Sequence, residues 1–351
     1  MGVRKIKRLY YNIIQDDIKN PQISLLIGAR QVGKTTLIRQ LYEELMSKGK
    51  NVAFINLENR KFRDILDESP ENIFLLVPPL SENSRLYIFI DEIQYLKDPS
   101  NFLKYIYDEY QNQIKFVVTG SSSFYIDRKF KDSLAGRKRI FEIPPLSFKE
   151  MLIFKDRKNL AQYINNGHIP LTYQPEILKL FYEYLVYGGY PDVVLSNEIK
   201  EKILVLKELV DSYVKKDAVE ADLKKPKSYL NLLKLLAERS GSLINIQSLA
   251  NDVAVSTKTI ESYLWVLQKS LHIHYVNPFH KNISSELRKM PKIYLNDIGM
   301  RNYLINNFSP IGLRQDRVLF WKATYTISFV RLFLQITSNS GELQKSRRLI
   351  L

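Results

Sequence analysis

A glycine-rich segment near the amino end constrains this chain more than any other feature. Residues 28–36 read GARQVGKTT and match the pattern G-x-x-x-x-G-K-[ST] from Gly28 through Thr35. The apolar run ISLLIG (23–28) leads into the segment, and an amphipathic stretch from Lys34 to Met46 follows it. The pattern binds phosphate when it joins a strand to a helix in this way. The sequence therefore predicts a phosphate-binding loop, and the alternative is a glycine-rich turn without a ligand.

Each residue type in this loop has a chemical reason. Gly28 and Gly33 let the backbone turn its N–H groups inward around phosphate oxygens. Lys34 can reach the β- and γ-phosphates of a nucleotide, and the hydroxyl of Thr35 can ligate Mg²⁺. Thr36 is expected near the α-phosphate. We assign nucleotide binding to the whole loop, that is, to Gly28, Ala29, Arg30, Gln31, Val32, Gly33, Lys34, Thr35 and Thr36.

Further apolar runs predict the sheet that carries the loop. They are NVAFINL (51–57), LYIFID (86–91), IKFVVTG (114–120) and RIFEIP (139–144). Uninterrupted apolar runs that alternate with helical segments are typical of a parallel sheet covered on both faces. The sequence predicts an α/β fold with a P-loop NTPase core built on a parallel sheet.

Two adjacent carboxylates lie at the end of the run LYIFID (86–91). Asp91 ends LYIFID and fits the acid that holds Mg²⁺ in P-loop NTPases, and Glu92 could orient and deprotonate an attacking water. At the end of the next run, Thr119 or Ser121 could bind the γ-phosphate or that water, unless this is an ordinary serine-rich strand end. The strand between the loop and Asp91, together with Glu92, favours ATP hydrolysis. The chain lacks an N-K-x-D motif for guanine, which disfavours a GTPase.

A basic segment at 127–139 supplies one more candidate. Arg137 follows the small pair Ala135-Gly136 and could sense the γ-phosphate, in the same chain or in a neighbouring subunit. A solvated basic loop explains the segment equally well.

These motifs together resemble a prokaryotic, archaeal-type ATPase family with an AAA-type core and a C-terminal conserved domain of unknown function. The matching stretches are GARQVGKTTLIRQL, FIDEIQ, VTGSSS, SLAGRKRIFEIPPLSFKE, GGYPDVV, SYVKKDAVE and the run from YLWVLQKSLHIHYV to PKIYLNDIGMRNYL. The resemblance covers roughly residues 20–305 and implies ATP binding, ATPase activity and a winged helix after the core. Lys34, Thr35, Asp91 and Glu92 carry over to this chain by their motifs, and Arg137 carries over as a recurring position only.

Residues 228–283 support the winged helix independently. A helix ending at Gly241 and a short second helix precede a longer helix that starts at the N-cap Ser256, and a β-wing follows. Ile260, Tyr263, Leu264 and Leu267 are expected to face inward. In a DNA-binding version, the residues in the major groove would be Thr257, Lys258, Thr259 and Ser262. Protein docking is the alternative use of such a module.

The charge balance bears on the partner. Lys and Arg number 52 against 37 Asp and Glu, a formal net charge of +15, which favours a polyanionic partner over a merely basic surface. The absence of cysteine excludes thiolate chemistry and fits a reducing cytoplasm. The apolar stretch Val318–Ile336 contains Lys322 and Arg331, so we do not expect it to span a membrane.

We expect four regions: a P-loop ATPase core (1–150), a helical lid or linker (151–227), a winged-helix-like domain (228–305) and a tail (306–351). Relatives in the resembled family continue with a nuclease-like fold, which is missing here. Residues 320–324 and the last five residues can be re-read, at one codon offset, as that family's pattern. This suggests a frameshift near residue 318, which sequencing the gene would test.

The function expected from the sequence is an ATPase that uses ATP and Mg²⁺ and couples its nucleotide state to the winged helix. The alternative is a nucleotide-gated DNA-binding regulator, or a protein-docking switch, with little turnover. DNA, a protein and a second copy of the chain are the candidate partners, and a membrane is not expected.

Overall fold

The computed structural model describes residues 6–80, 84–120, 134–166, 169–221, 223–277, 290–310 and 313–316. The chain divides into two compact units, Met1–Pro144 and Pro145–Leu351. The four regions expected from the sequence, with boundaries at 150, 227 and 305, stay a prediction. The apolar stretch Val318–Ile336 and the frameshift hypothesised near residue 318 lie outside the described residues.

The first unit alternates strands and helices. Its elements are α1 (Tyr10–Asp17), β1 (Ile23–Ile27), α2 (Lys34–Ser47), β2 (Asn51–Asn56), α3 (Arg60–Glu68), β3 (Leu86–Asp91), α4 (Pro99–Tyr110), β4 (Ile114–Gly120) and β5 (Lys138–Glu142), with 3-10 turns at Pro70–Leu75 and Ile93–Tyr95. The strands form one sheet in the order β2-β3-β4-β1-β5, and every pairing is parallel. The predicted α/β fold is confirmed.

Burial explains why these segments form a parallel sheet. Every residue of β1 and β4 is buried, as expected for central strands that are covered by helices on both faces. The edge strands β2 and β5 keep partly exposed positions. Because all strands run in the same direction, the segments that follow β1, β3 and β4 meet at one edge of the sheet. That edge receives the glycine-rich loop, the acidic pair and Thr119.

The second unit is mostly helical. Its elements are α5 (Phe148–Phe154), α6 (Lys158–Asn166), α7 (Gln174–Tyr187), α8 (Pro191–Leu195), α9 (Ile199–Glu220), α10 (Pro226–Glu238), α11 (Ile246–Val253), α12 (Thr257–Lys269), β6 (Ile273–Val276), β7 (Lys292–Leu295) and α13 (Ile298–Leu304), with a 3-10 turn at Leu171–Tyr173. Strands β6 and β7 pair antiparallel. Among the described helices, none combines the length and the apolar character that crossing a bilayer requires.

The GGYP stretch (188–191) packs closely against the NDIGM stretch (296–300). Asp297 caps α13 by accepting a hydrogen bond from Met300 N at 2.9 Å, and its carboxylate also accepts one from Gly189 N at 2.8 Å. A Cβ at Gly188, whose φ is +80°, would lie 2.2 Å from the Asp297 carboxylate. The GGYP and NDIGM stretches therefore have a packing role, and glycine is required where the carboxylate approaches the backbone.

The predicted inward face of α12 is confirmed. Its predicted core residues are buried, namely Ile260, Tyr263, Leu264 and Leu267. Ser256 caps the helix as predicted, because its hydroxyl accepts a hydrogen bond from Thr259 N at 3.2 Å. Three helices followed by a two-stranded antiparallel sheet is the order that a winged helix requires. The winged-helix assignment itself stays a prediction, and residues 278–289, which join the two strands, lie outside the described part of the chain.

Candidate nucleotide-binding site

Close contact with the end of β5 shapes the loop that follows β1. A Cβ at Gly28 would lie 2.4 Å from the carbonyl oxygen of Ile143, so only glycine fits there without a shift of the backbone. Gly33, the N-cap of α2, has a φ of +91°, and Gln31 has a φ of +59°. The left-handed region is strained for residues other than glycine, so Gly33 relieves strain at the turn into α2.

Lys34 is buried in the middle of this loop. Its side chain is 5% exposed, and its ammonium donates hydrogen bonds of 2.9 Å to the carbonyl oxygens of Gly28 and Ala29. Burial lowers the pKa of Lys34 to about 8, although the nearby carboxylates of Glu92 and Asp91 favour its charged form. The loop therefore holds a cation beside two carboxylates.

The loop and the acidic pair are joined through Thr35. Its hydroxyl donates a hydrogen bond of 3.1 Å to Asp91 Oδ1, and Asp91 is buried at the carboxyl end of β3. The structure therefore brings together the two residues assigned to Mg²⁺.

Thr119 is the residue for which the structure suggests a different role from the expected one. Its side chain is fully buried, its hydroxyl donates to Asp91 Oδ1, and it accepts a hydrogen bond of 3.0 Å from the backbone N–H of Glu92. Because the hydroxyl has a single proton, this proton is used on Asp91 rather than on a phosphate or a water. Thr119 therefore fixes the positions of both acidic residues. Ser121, the other candidate, lies outside the described residues.

Glu92 occupies a strained backbone position. Its φ is +58°, in the left-handed region, where residues with a side chain are uncommon. The side-chain amide of Gln94 donates a hydrogen bond to Glu92 Oε2, and Gln94 is buried. Sequence reasoning did not single out Gln94, although it ends the FIDEIQ stretch.

Arg137 is not brought to this cluster. Its guanidinium binds Asp108 through Nε at 2.6 Å and Nη2 at 3.1 Å, and its carbonyl accepts a hydrogen bond from Ile23 N, at the start of β1. The loop follows the carboxyl end of β1, whereas Arg137 lies at the amino end of β5, which runs parallel to β1. The length of a five-residue strand, at about 3.3 Å per residue, therefore separates Arg137 from the loop by roughly 16 Å. The expected contact within one chain is therefore absent from this arrangement. A role in a neighbouring subunit stays a prediction.

A second residue that sequence reasoning missed is Arg8, just before α1. Its guanidinium is buried and donates hydrogen bonds to the carbonyl oxygens of Val32, at 2.6 Å, and Pro144, at 2.9 Å. The basic amino-terminal sequence gave no sign that one of its charges would bind the backbone of the glycine-rich loop.

The residues present fit Mg²⁺ and a phosphate chain. Asp91 and Thr35 offer carboxylate and hydroxyl oxygens, the hard ligands that Mg²⁺ prefers, and Lys34 offers a buried cation to phosphate oxygens. Within the described residues there is no group of three or more His, Cys, Asp or Glu that could hold a metal ion. One carboxylate is enough for a magnesium site, because Mg²⁺ takes its other ligands from phosphates and water.

Comparison with family models divides the chain in two. Residues 20–152 match the model described as an AAA domain, and residues 178–311 match a domain of unknown function (DUF8612). The first match contains the glycine-rich loop, the acidic pair and Thr119.

Two similar proteins are uncharacterized. One, from Haemophilus influenzae, is 27% identical over 293 residues, which are 81% of this chain and 69% of the relative. The other, from Methanocaldococcus jannaschii, is 28% identical over 306 residues, which are 85% of this chain and 66% of the relative. The chain thus spans about two thirds of the length of these relatives.

Comparison with solved structures gives only weak likenesses. A DNA replication initiation factor aligns with a TM-score of 0.33 and 15% identity, covering 76% of this chain and 90% of the other. AMPPCP-bound DnaA from Aquifex aeolicus aligns with a TM-score of 0.30 and 14% identity, covering 76% and 89%. The chain thus joins a segment similar to the AAA domain to a segment similar to a domain of unknown function.

Proposed function

We propose that this chain binds Mg²⁺-ATP at the glycine-rich loop and hydrolyses it. The observation that carries this proposal is the hydrogen bond of 3.1 Å between the Thr35 hydroxyl and Asp91, beside the buried ammonium of Lys34. One hydroxyl, one carboxylate and one cation at the end of a parallel sheet match the needs of a metal-bound triphosphate.

Binding uses the loop and the first turn of α2. The N–H groups of residues 28–36 bind phosphate oxygens, and the positive end of the α2 dipole, at Lys34–Ser47, adds to this attraction. Lys34 exchanges its two carbonyl partners, Gly28 and Ala29, for β- and γ-phosphate oxygens. Mg²⁺ held by Thr35 and Asp91 supplies charge neutralisation at the phosphates.

Hydrolysis uses Glu92 as the general base. The carboxylate of Glu92 takes a proton from water as the water oxygen bonds to the γ-phosphorus, and the bond from that phosphorus to the β–γ bridging oxygen breaks to leave ADP. Gln94 orients the carboxylate of Glu92, and Thr119 holds its backbone N–H. A base held by fixed partners loses less orientational freedom when it reacts.

The nucleotide state is proposed to control the winged-helix-like domain at 228–305. ATP binding and hydrolysis would change whether that domain can bind its partner. The proposed location of the protein is the cytoplasm. A second copy of the chain could supply Arg137 to the site in trans.

The test is phosphate release and calorimetric binding with the full chain. We expect heat on adding Mg²⁺-ATP and steady release of phosphate that stops when Mg²⁺ is chelated. An absence of heat with folded protein would overturn nucleotide binding, and binding without turnover would overturn the hydrolase part alone.

A second candidate function is a nucleotide-gated DNA-binding regulator. The outward face of α12 favours it, since Lys258 and Ser262 are exposed next to the capped amino end of the helix. Trp265, 40% exposed on the same face, is the feature that favours protein docking instead. Measuring duplex DNA binding at several salt concentrations separates these candidates. A DNA-binding module should lose affinity steeply as salt rises, and a docking module should show no DNA binding and no DNA-dependent change in turnover.

A further inference from the structure

A buried arginine outside the predicted site holds the glycine-rich loop from behind. Arg8 is 5% exposed, and it donates hydrogen bonds of 2.6 Å to Val32 O and 2.9 Å to Pro144 O. Burying a guanidinium is costly unless its donors find acceptors, so these bonds hold the side chain in place. Arg8 thereby connects the loop to the segment that leaves β5.

The bond to Val32 controls the orientation of the next peptide group. In a planar trans peptide, the carbonyl of Val32 and the N–H of Gly33 point in opposite directions. When Arg8 holds the Val32 oxygen on one side, the Gly33 N–H is turned to the other side. Gly33 has a φ of +91°, and glycine changes its backbone conformation easily. A hydrogen bond from outside the loop therefore limits the conformations of this peptide.

Pro144 is a stiff anchor for this restraint. Its ring fixes φ, and the following Pro145 narrows its remaining freedom. The preceding residue, Ile143, donates a hydrogen bond of 2.7 Å to Ile27 O, and its own carbonyl lies where a Cβ of Gly28 would be. Ile143 therefore contacts the loop directly at Gly28, and Pro144 is linked to the loop at Val32 through the Arg8 guanidinium.

The backbone of Arg8 is joined to α1, and α1 has its own contact with α2 that does not involve the guanidinium. The carbonyl of Arg8 accepts a hydrogen bond of 3.0 Å from Tyr11 N, at the start of α1. Tyr11 is fully buried, and its hydroxyl binds the carboxylate of Glu44 on α2. The side-chain amide of Gln15 donates to the same carboxylate. The contact between α1 and α2 is therefore separate from the two hydrogen bonds that the Arg8 guanidinium donates.

We propose that Arg8 is a positioning residue for the phosphate loop: it fixes the Val32–Gly33 peptide so that the Gly33 N–H is available to a phosphate before the nucleotide arrives. This inference rests on the proposed function for its effect on binding. Its effect on the empty loop does not depend on that function.

The first test measures Mg²⁺-ATP affinity in variants of the full chain. Arg8→Met should weaken binding about tenfold, which corresponds to about 1.4 kcal/mol. Arg8→Lys keeps the charge without the planar fork, so it should recover part of the affinity. Tyr11→Phe is the control, because it removes the Glu44 contact and leaves the guanidinium intact. It should lower Tm and keep wild-type affinity, whereas equal loss of affinity in Tyr11→Phe and Arg8→Met would reduce Arg8 to a structural residue.

The second test needs no nucleotide. Without the Arg8 guanidinium the Val32–Gly33 peptide is freer to reorient, so the NMR order parameter of the Gly33 N–H in the empty protein should be lower in Arg8→Met than in wild type, and unchanged in Tyr11→Phe. If Arg8→Met fails to fold, Arg8→Lys carries the comparison. A wild-type order parameter at Gly33 in a folded Arg8 variant would overturn the inference. If wild type binds no Mg²⁺-ATP, the proposed function fails, and the order parameters at Gly33 alone still decide the role of Arg8.

Discussion

The hydroxyl of Thr35 lies 3.1 Å from Asp91 Oδ1, which closes a contact between residues 56 positions apart in the chain. Thr35 belongs to the first turn of α2 and Asp91 to the last residue of β3. The two elements are held together by the sheet order, because β4 lies between β1 and β3 and its Thr119 hydroxyl also binds Asp91.

Replacing Lys34 with alanine should abolish nucleotide binding. The substitution removes the buried ammonium that the β- and γ-phosphates need, so we expect the affinity for Mg²⁺-ATP to fall roughly a hundredfold or more, the equivalent of about 2.7 kcal/mol. Isothermal calorimetry measures the loss. Lys50→Ala, an exposed lysine just after α2, should bind as wild type does, and tight binding by Lys34→Ala would contradict the assignment.

Glu92→Gln should bind Mg²⁺-ATP normally and lose turnover. An amide of the same shape keeps the position but does not take the proton of the attacking water, so phosphate release should fall by about 10²–10⁴-fold. Glu58→Gln, on the exposed segment after β2, serves as the control and should keep its rate. Turnover at the wild-type rate in Glu92→Gln would refute its role as a base.

Thr119→Val should impair turnover more than binding. The methyl group fills the space of the hydroxyl but leaves the N–H of Glu92 without its acceptor, so we expect a loss of about 1–3 kcal/mol in the free energy of unfolding. The kcat for ATP should fall with a smaller change in KM. Thr119→Ser keeps the hydroxyl and should restore most of the rate, whereas an equally slow serine variant would exclude the hydroxyl as the cause.

The two loop glycines should respond differently to alanine. At Gly28 the new Cβ would lie 2.4 Å from a backbone oxygen of Ile143, so Gly28→Ala should lower Tm and displace the end of β5. At Gly33 the space is open and the cost is only the strain of φ +91°, about 1–2 kcal/mol. Thermal unfolding of the two variants checks the order. A smaller loss for Gly28→Ala than for Gly33→Ala would contradict the close contact.

Acid should weaken the attachment of α1 to α2 through Glu44. Hydrogen bonds from Lys48, Lys7 and Tyr11 lower the pKa of the Glu44 carboxyl to about 2 from an ordinary value near 4.5. Because the folded-state pKa is the lower one, the contribution to stability is present above about pH 4.5 and is lost as the pH falls towards 2. The carboxylate is partly exposed, so we expect about 1 kcal/mol at most.

Urea unfolding of wild type and Glu44→Gln measures this pH dependence. The difference in unfolding free energy between the two proteins should shrink from pH 6 to pH 2.5. Glu58→Gln, at an exposed position outside both helices, should follow the wild-type curve. A difference that stays constant over this range would rule out titration of Glu44.

The sequence predicted the sheet well because its signal is local. Each buried strand is a run of apolar residues, and the glycine-rich loop is identified by the spacing of Gly28, Gly33 and Lys34. The side-chain partners of the site were harder to predict. Thr119 was expected to bind phosphate or water, but its hydroxyl proton is used on Asp91, which depends on how β3 and β4 align.

Long-range contacts account for the other differences. Arg137 is far from the loop both in sequence and in space. It precedes the first residue of β5, and the amino ends of the parallel strands β1 and β5 lie at the end of the sheet opposite to the loop. Arg8 was missed for the opposite reason. A charged residue in a basic segment is expected to be exposed to solvent. Only the folded chain shows that two backbone carbonyls, 24 and 136 positions away, accept hydrogen bonds from the Arg8 guanidinium.

The sheet order has a consequence for synthesis on the ribosome. The strand that bears the loop, β1, pairs with β4 and β5, which are made about 90 and 115 residues later. A nascent chain that has exposed only its first hundred residues therefore lacks both neighbours of β1 as well as the carbonyl groups of residues 143 and 144. The nucleotide site of such an early intermediate is incomplete, so nucleotide should not stabilise it. Protection of the nascent chain against proteolysis by nucleotide should begin only once β5 has emerged from the ribosome.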